Sequence, residues 1–136
     1  MKIVLDKDAF LPERAHETDA GYDLRTPVEV RVNADSQYCV DTGVHVQIPE
    51  GYVGFIKTKS GLMCRNSIST EGVIDSGYTG PIVVCIRNHQ NGPVIFERGD
   101  KIAQLVVLPI TTPNLEVVDS LDDTDRGSNG FGSTGK

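Results

Sequence analysis

Apolar and polar residues alternate with period two in several short stretches of the chain. Val28, Val30 and Val32 alternate with Glu29, Arg31 and Asn33, and Val44, Val46 and Ile48 alternate with His45, Gln47 and Pro49. That period belongs to a half-buried strand, and it leaves His45 on the polar face as a surface residue. Lys2–Leu5 and Tyr52–Lys57 are further strand-like runs, and residues 82–86 and 102–108 are apolar and β-branched enough for buried strands. Gln104 shares a face with Ile102 and Val106. An amide there costs stability unless it is hydrogen-bonded, so it serves either the core or a ligand. Residues 33–36, 49–51 and 91–93 carry turn chemistry. Residues 57–66 are the one place where a short helix is expected, with Ser60 as its N-cap. The two apolar runs on either side of residues 75–80 read as a β-hairpin. Many short strands, little helix and abundant turns predict an all-β barrel or sandwich.

Composition narrows the function. At 136 residues the chain is one domain with room for a real core, and its 38% hydrophobic content leaves apolar surface for a partner subunit to complete. The net charge of −6 argues against non-specific binding to nucleic acid. An anionic ligand then requires a local cluster of cations and backbone N–H groups, with a divalent metal. No run approaches a membrane span and no signal h-region opens the chain, so a cytoplasmic protein is expected. Cys39, Cys64 and Cys85 have spacings of neither a disulfide framework nor a zinc site and read as reduced thiols. His16, His45 and His89 form no metal motif. Residues 130–136 fit G-x-x-x-x-G-K, but the strand, hydroxyl residue and helix of a P-loop are missing. Arg98-Gly99-Asp100 has no adhesion receptor to meet in such a protein.

Four places carry candidate chemistry. Asp75 and Tyr78 stand in a glycine-flanked turn, either as turn residues alone or as an acid and a ring held together. Asp23, in Ala20-Gly21-Tyr22-Asp23-Leu24, is either solvated at a strand entry or a ligand group. Lys59 ahead of Ser60-Gly61 makes either an ordinary capped turn or a small anion site. The tail from Arg126 holds four glycines among its last eleven residues, with Phe131, Ser133 and Thr134 between them. It is either disordered or folds over a ligand by ring stacking and guanidinium contact.

Taken in order, five blocks resemble the five motifs of the trimeric dUTPases: residues 20–24, 59–62, 72–80, 98–105 and 126–135. The resemblance spans nearly the whole chain. It implies an all-β, jelly-roll-like β-barrel with one short helix, a homotrimer whose active sites are shared between subunits, and hydrolysis of dUTP to dUMP and pyrophosphate. By the same resemblance residues 1–118 are the barrel and residues 119–136 a C-terminal arm that closes over the substrate. Asp75 is implied as the base that activates water for attack on the α-phosphorus, and Asp23 as a holder of Mg²⁺ through water. Gly72, Val73, Ile74, Tyr78, Val83 and Phe131 would contact base and sugar. Lys59, Ser60, Gly61, Gln104, Arg126, Gly132, Ser133 and Thr134 would hold phosphates.

Four positions depart from the family pattern. Thr58-Lys59-Ser60-Gly61 stands for the usual Pro-Arg-Ser-Gly, so Lys59 keeps the charge without the bidentate fork. Thr79 and Pro81 stand where the family often has arginine and an acid. The Lys59 form is closer to bacterial or phage versions. dCTP deaminase shares the implied fold, but its chemistry needs a glutamate near the base, for which Glu71 is the nearby candidate, and the glycine-rich ending favours dUTPase. A non-enzymatic jelly roll would have no use for Asp75, Tyr78 and the tail together. A regulatory protein partner leaves no readable motif.

Overall fold

The computed structural model describes residues 1–66 and 68–130. In chain order the elements are β1 (Lys2–Leu5), β2 (Gly21–Arg25), β3 (Val30–Val32), β4 (Gln37–Gln47), β5 (Tyr52–Lys57), α1 (Ser60–Asn66), β6 (Ile68–Ser69), β7 (Glu71–Ile74), β8 (Pro81–Asn88), β9 (Val94–Phe96) and β10 (Lys101–Pro109). Two four-stranded sheets, ordered β1-β4-β8-β6 and β2-β10-β5-β7, enclose one apolar core, to which a separate β3-β9 ribbon adds Val30, Val32 and Phe96. All pairings are antiparallel. The expected all-β jelly-roll fold with one short helix is therefore what the chain adopts.

Period-two patterning builds the core directly. On β8, Ile82, Val84, Ile86 and Asn88 are buried, while Val83 and Arg87 face out and Cys85 is half-buried. The one polar member is satisfied: the Asn88 amide donates to the carbonyls of Val32, Asn33 and Gly92, tying β8 to the end of β3 and to the 91–93 turn. On β4 the alternation fails, because Thr42, Gly43 and Val44 are buried in succession. A bulge between Asp41 and His45 accounts for this. Gly43 takes φ 65°, and its N–H is held by the Asp41 carboxylate at 2.8 Å. The strand thus runs from residue 37, well ahead of the alternation visible at 44–48.

The structure corrects three sequence expectations here. Residues 71–74 and 81–88 do not form a hairpin: β7 pairs with β5, β8 pairs with β4 and β6, and residues 75–80 cross from one sheet to the other. Tight hairpin loops need positive φ, and the described positive-φ residues, Asp35, Gly43, Gly51, Gly99 and Gly127, all lie outside that stretch. The cap of α1 is Lys59 rather than Ser60, since the Lys59 carbonyl accepts from the N–H groups of Leu62 and Met63, both at 3.0 Å. Cys39 and Cys85 are not free thiols. They are directly opposed on β4 and β8 and form a disulfide, leaving Cys64 free and exposed. A sequence separation of 46 says nothing about strand register, which alone brings the two sulfurs together.

Beyond β10 the described residues, up to Gly130, are irregular. The Ile110 N–H bonds the Gly51 carbonyl, and Leu115, Val117 and Leu121 then stand 98%, 99% and 88% exposed. Among the described residues no helix is long and apolar enough to cross a membrane.

Reduction of the Cys39–Cys85 bond should lower stability by about 2–4 kcal/mol, the usual effect of freeing a loop of this length in the unfolded chain. Denaturant midpoints with and without dithiothreitol check this. Cys85→Ser should show the lower midpoint in both buffers, and a wild-type midpoint indifferent to reductant would contradict the bond.

Candidate active site

Two groups of the expected residues assemble in the chain, in different places. The first forms where β2, β10 and the β5–α1 junction meet. Asp23 lies in mid-β2, its backbone N–H bonded to the Glu13 carbonyl at 2.8 Å, with Gln104 opposite it on β10. Its carboxylate is 7% exposed and is met by two ammonium groups: Lys59 on one oxygen and Lys101 on the other, the latter at 2.6 Å. Burial pushes the Asp23 carboxyl up, but the Lys101 and Lys59 ammonium groups outweigh it and hold the group below its ordinary 3.8.

Thr58 positions Lys59. Its hydroxyl donates to the Thr70 carbonyl at 3.0 Å and accepts from the Thr70 N–H at 2.8 Å, while its own carbonyl accepts from the Gln104 amide at 3.3 Å. Gln104 therefore serves the scaffold on this side. Its carboxamide lies so close over Gly21 that a Cβ there would sit 2.3 Å from the amide oxygen. Gln104 shares its face with Asp23 and Val106, not with Ile102, because a bulge between Lys101 and Ala103 buries Ile102 and Ala103 in succession. Ser60 and Gly61 are exposed at the start of α1. Arg98-Gly99-Asp100 is structural: Gly99, at φ 94°, and Asp100 exchange backbone bonds with Thr26, and Arg25 donates to the Gly99 carbonyl at 2.7 Å.

The second group is the crossing between the sheets. Asp75 is exposed at its start, and its carbonyl accepts from the Tyr78 N–H at 3.0 Å. Tyr78 donates its hydroxyl to the Pro81 carbonyl at 2.9 Å, and the ring lies over Gly80, where a Cβ would meet the hydroxyl oxygen at 2.4 Å. His45 pins the crossing to β4, with Nδ1 2.9 Å from the Thr79 carbonyl and Nε2 3.5 Å from Asp6. The Thr79 hydrogen bond, helped by Asp6 and against some desolvation, raises the His45 pKa above 6.5. His45 is thus no idle surface residue. Its contact lies 34 positions away in sequence, so local patterning carries no trace of it. Gly72 and Ile74 lie on β7, with Ile74 in the core, while Val73 (60% exposed), Tyr78 (42%) and Val83 (45%) offer apolar surface on either side of the crossing.

The remaining expected residues fall at the C-terminus. Arg126 is exposed, with Nε donating to the Asn129 carbonyl at 3.1 Å. Phe131, Gly132, Ser133 and Thr134 lie outside the described residues. Glu71, the glutamate on which a deaminase would depend, is an exposed β7 residue paired with Lys57 at 3.1 Å. Sequence reading passed over Thr58, Lys101 and His45. Lys101 adjoins the fourth block, and only its contact with Asp23 marks it.

The β-barrel thus carries a lysine-covered carboxylate on one sheet and an exposed acid beside a ring at a sheet crossing. The dUTPase family model matches residues 7–135. The deoxyuridine 5'-triphosphate nucleotidohydrolase of Corynebacterium glutamicum is 43% identical over 141 residues, covering 100% of this chain and 95% of that protein. Staphylococcus bacteriophage 80alpha dUTPase with dUPNHPP superposes with TM-score 0.94 at 33% identity, over 99% of this chain and 98% of that one. A mutant dUTPase from phage phi11 of S. aureus, described as coordinating a structural Mg(II) ion, superposes with TM-score 0.82 at 33% identity, over 88% and 96%. The chain belongs to the dUTPase family: it is a dUTP diphosphatase that hydrolyses dUTP to dUMP.

The depressed Asp23 pKa sets an acid limb. The ionised carboxylate contributes stability that is fully present above the unfolded value near 3.8 and is lost as pH falls through the lower folded value. Urea midpoints of wild type and Asp23→Asn should keep a constant gap between neutral pH and pH of about 5, and the gap should narrow only below about 4. A gap already closing near neutrality would contradict the paired carboxylate. Separately, Gly80→Ala should displace the Tyr78 ring and raise KM for dUTP with little change in Tm.

Proposed function

We propose that the enzyme acts by in-line attack of a water on the α-phosphorus of dUTP, with Asp75 as the general base. Asp75 takes a proton from the attacking water, the new P–O bond forms at the α-phosphorus, and the bond to the bridging oxygen breaks to release pyrophosphate. The observation that carries this reading is an exposed carboxylate at the start of a crossing held by three hydrogen bonds: Tyr78 N–H to the Asp75 carbonyl, the Tyr78 hydroxyl to the Pro81 carbonyl, and His45 to the Thr79 carbonyl. Such fixing is what positioning a base requires. Tyr78 would pack against the deoxyribose, where a 2′-hydroxyl has no room. Gly72, Val73, Ile74 and Val83 would line the uracil site and leave no space for the methyl of thymine.

The triphosphate would run towards Asp23, with Lys59, Ser60, Gly61 and Gln104 as phosphate contacts. Among the described residues no group of three or more His, Cys, Asp or Glu gathers as a metal cage. That donor set fits a Mg²⁺ that keeps most of its water and is carried by the phosphates, with Asp23 holding one of those waters. When bound, the ion would supply neutralisation of the triphosphate charge. The structural Mg(II) ion of the phi11 relative supports this choice of cation.

The enzyme would work as a homotrimer. The apolar side chains of β1 (Ile3 38%, Val4 65%, Leu5 38% exposed) and of residues 115–121 are left in solvent by the single chain and would be covered by sister subunits. Residues 1–118 would form the barrel and residues 119–136 the arm, bringing Phe131 over the uracil and Arg126, Gly132, Ser133 and Thr134 to the phosphates. A site of action in the cytoplasm and independence from nucleic acid complete the reading.

Incubation with dUTP, dCTP, dTTP and UTP and Mg²⁺, following pyrophosphate and ammonia, should give pyrophosphate from dUTP alone. In ¹⁸O-water the label should enter dUMP; label in pyrophosphate would move the attack to the β-phosphorus. Asp75→Asn should fold normally and lose roughly 10²- to 10⁴-fold in kcat, and near-normal turnover would remove Asp75 from the base role.

A further inference from the structure

The cover over Asp23 holds more positive charge than the carboxylate needs. One carboxylate faces two ammonium groups, so the cluster carries a surplus of one positive charge in a chain of net charge −6. The layering also matters. Asp23 is 7% exposed, Lys59 29% and Lys101 37%, so the two cations lie between the carboxylate and solvent. A polyanion arriving here meets ammonium groups first. Neighbouring cations are engaged elsewhere: Arg25 on the Gly99 carbonyl and Lys57 on Glu71.

The backbone is shaped to put Lys101 in this place. Along an unbroken strand, Lys101 would share a face with Ala103 and Leu105, both fully buried in the core. The bulge between Lys101 and Ala103 turns it to the face of Asp23, and re-aiming a side chain is what a bulge at a site does. The Gly99–Asp100 turn, docked on Thr26, holds the preceding residues in register.

We propose that Lys101 is a second phosphate-binding cation of the active site, acting with Lys59 on the β,γ end of the triphosphate and holding Asp23 between turnovers. This rests on the reading of the Asp23 cluster as the triphosphate end. Both lysines then exchange a carboxylate partner for phosphate oxygens when the nucleotide binds, and a charge-assisted contact replaces one of the same kind.

The test is calorimetric titration, in Mg²⁺ buffer, of two probes that differ in the phosphates at issue: the α,β-imido analogue of dUTP, and dUMP. Lys101→Met keeps the apolar stem and removes the charge. It should weaken the analogue about 10- to 100-fold and leave dUMP unchanged, with KM for dUTP rising more than kcat falls. Lys101→Arg should restore the analogue, and Lys101→Gln gives the neutral comparison should the methionine form fold poorly. Equal weakening of analogue and dUMP would mean a merely structural lysine and overturn the proposal. Unchanged affinity in Lys101→Met with a loss in Lys59→Met would overturn it while sparing the site. Unchanged affinity for the analogue in both variants would overturn the placement of the triphosphate itself.

Discussion

A carboxylate taken out of water must be paired, and the pairing of Asp23 organises this end of the molecule. Desolvation alone would drive the group towards its neutral form, and an unpaired buried charge costs several kcal/mol, in the range of ~3–5 on removal of one partner. Lys59 and Lys101 come to it from two separate places later in the chain, one from the β5–α1 junction and one from the first residue of β10. Meeting that single requirement fixes the entry to the helix, the bulge in β10 and the register of β10 on β2 relative to one another. Thr58 and Gln104 then follow as the hydrogen-bonded frame of the same junction.

The second half of the site obeys a different constraint. Asp75 is exposed, not buried, so its position depends on the stiffness of residues 75–80 rather than on neutralisation. That stiffness comes from carbonyl acceptors within the crossing and from His45 on β4, whose bulge brings it opposite Pro81. Because β7 and β8 belong to different sheets, the crossing is anchored to both faces of the barrel. An acid tied to both sheets cannot drift with either one.

Much of this was legible in the chain. Apolar, β-branched runs mark β5 residue for residue and β8 and β10 to within one or two positions, since each contributes side chains to the core. Asp23, Lys59, Asp75 and Tyr78 stand out because acids, rings and glycines gather around them in short compass. His45, Thr58 and Lys101 did not stand out. Each acts on a partner between 12 and 78 positions away, and local patterning cannot encode such a distance. The cysteines mislead for the same reason, and the apparent hairpin misleads because turn residues specify a reversal without naming the strands that will flank it.

The sequence by itself therefore determined the class of fold, the boundaries of its best strands and the family, because these depend on residue type and local period. Tertiary structure decided the pairings: which sheet each strand joined, which cysteines met, and which lysines closed over Asp23. Those outcomes depend on register between distant strands. A shift of one residue reverses the face of every side chain, and only the packed sheets select it.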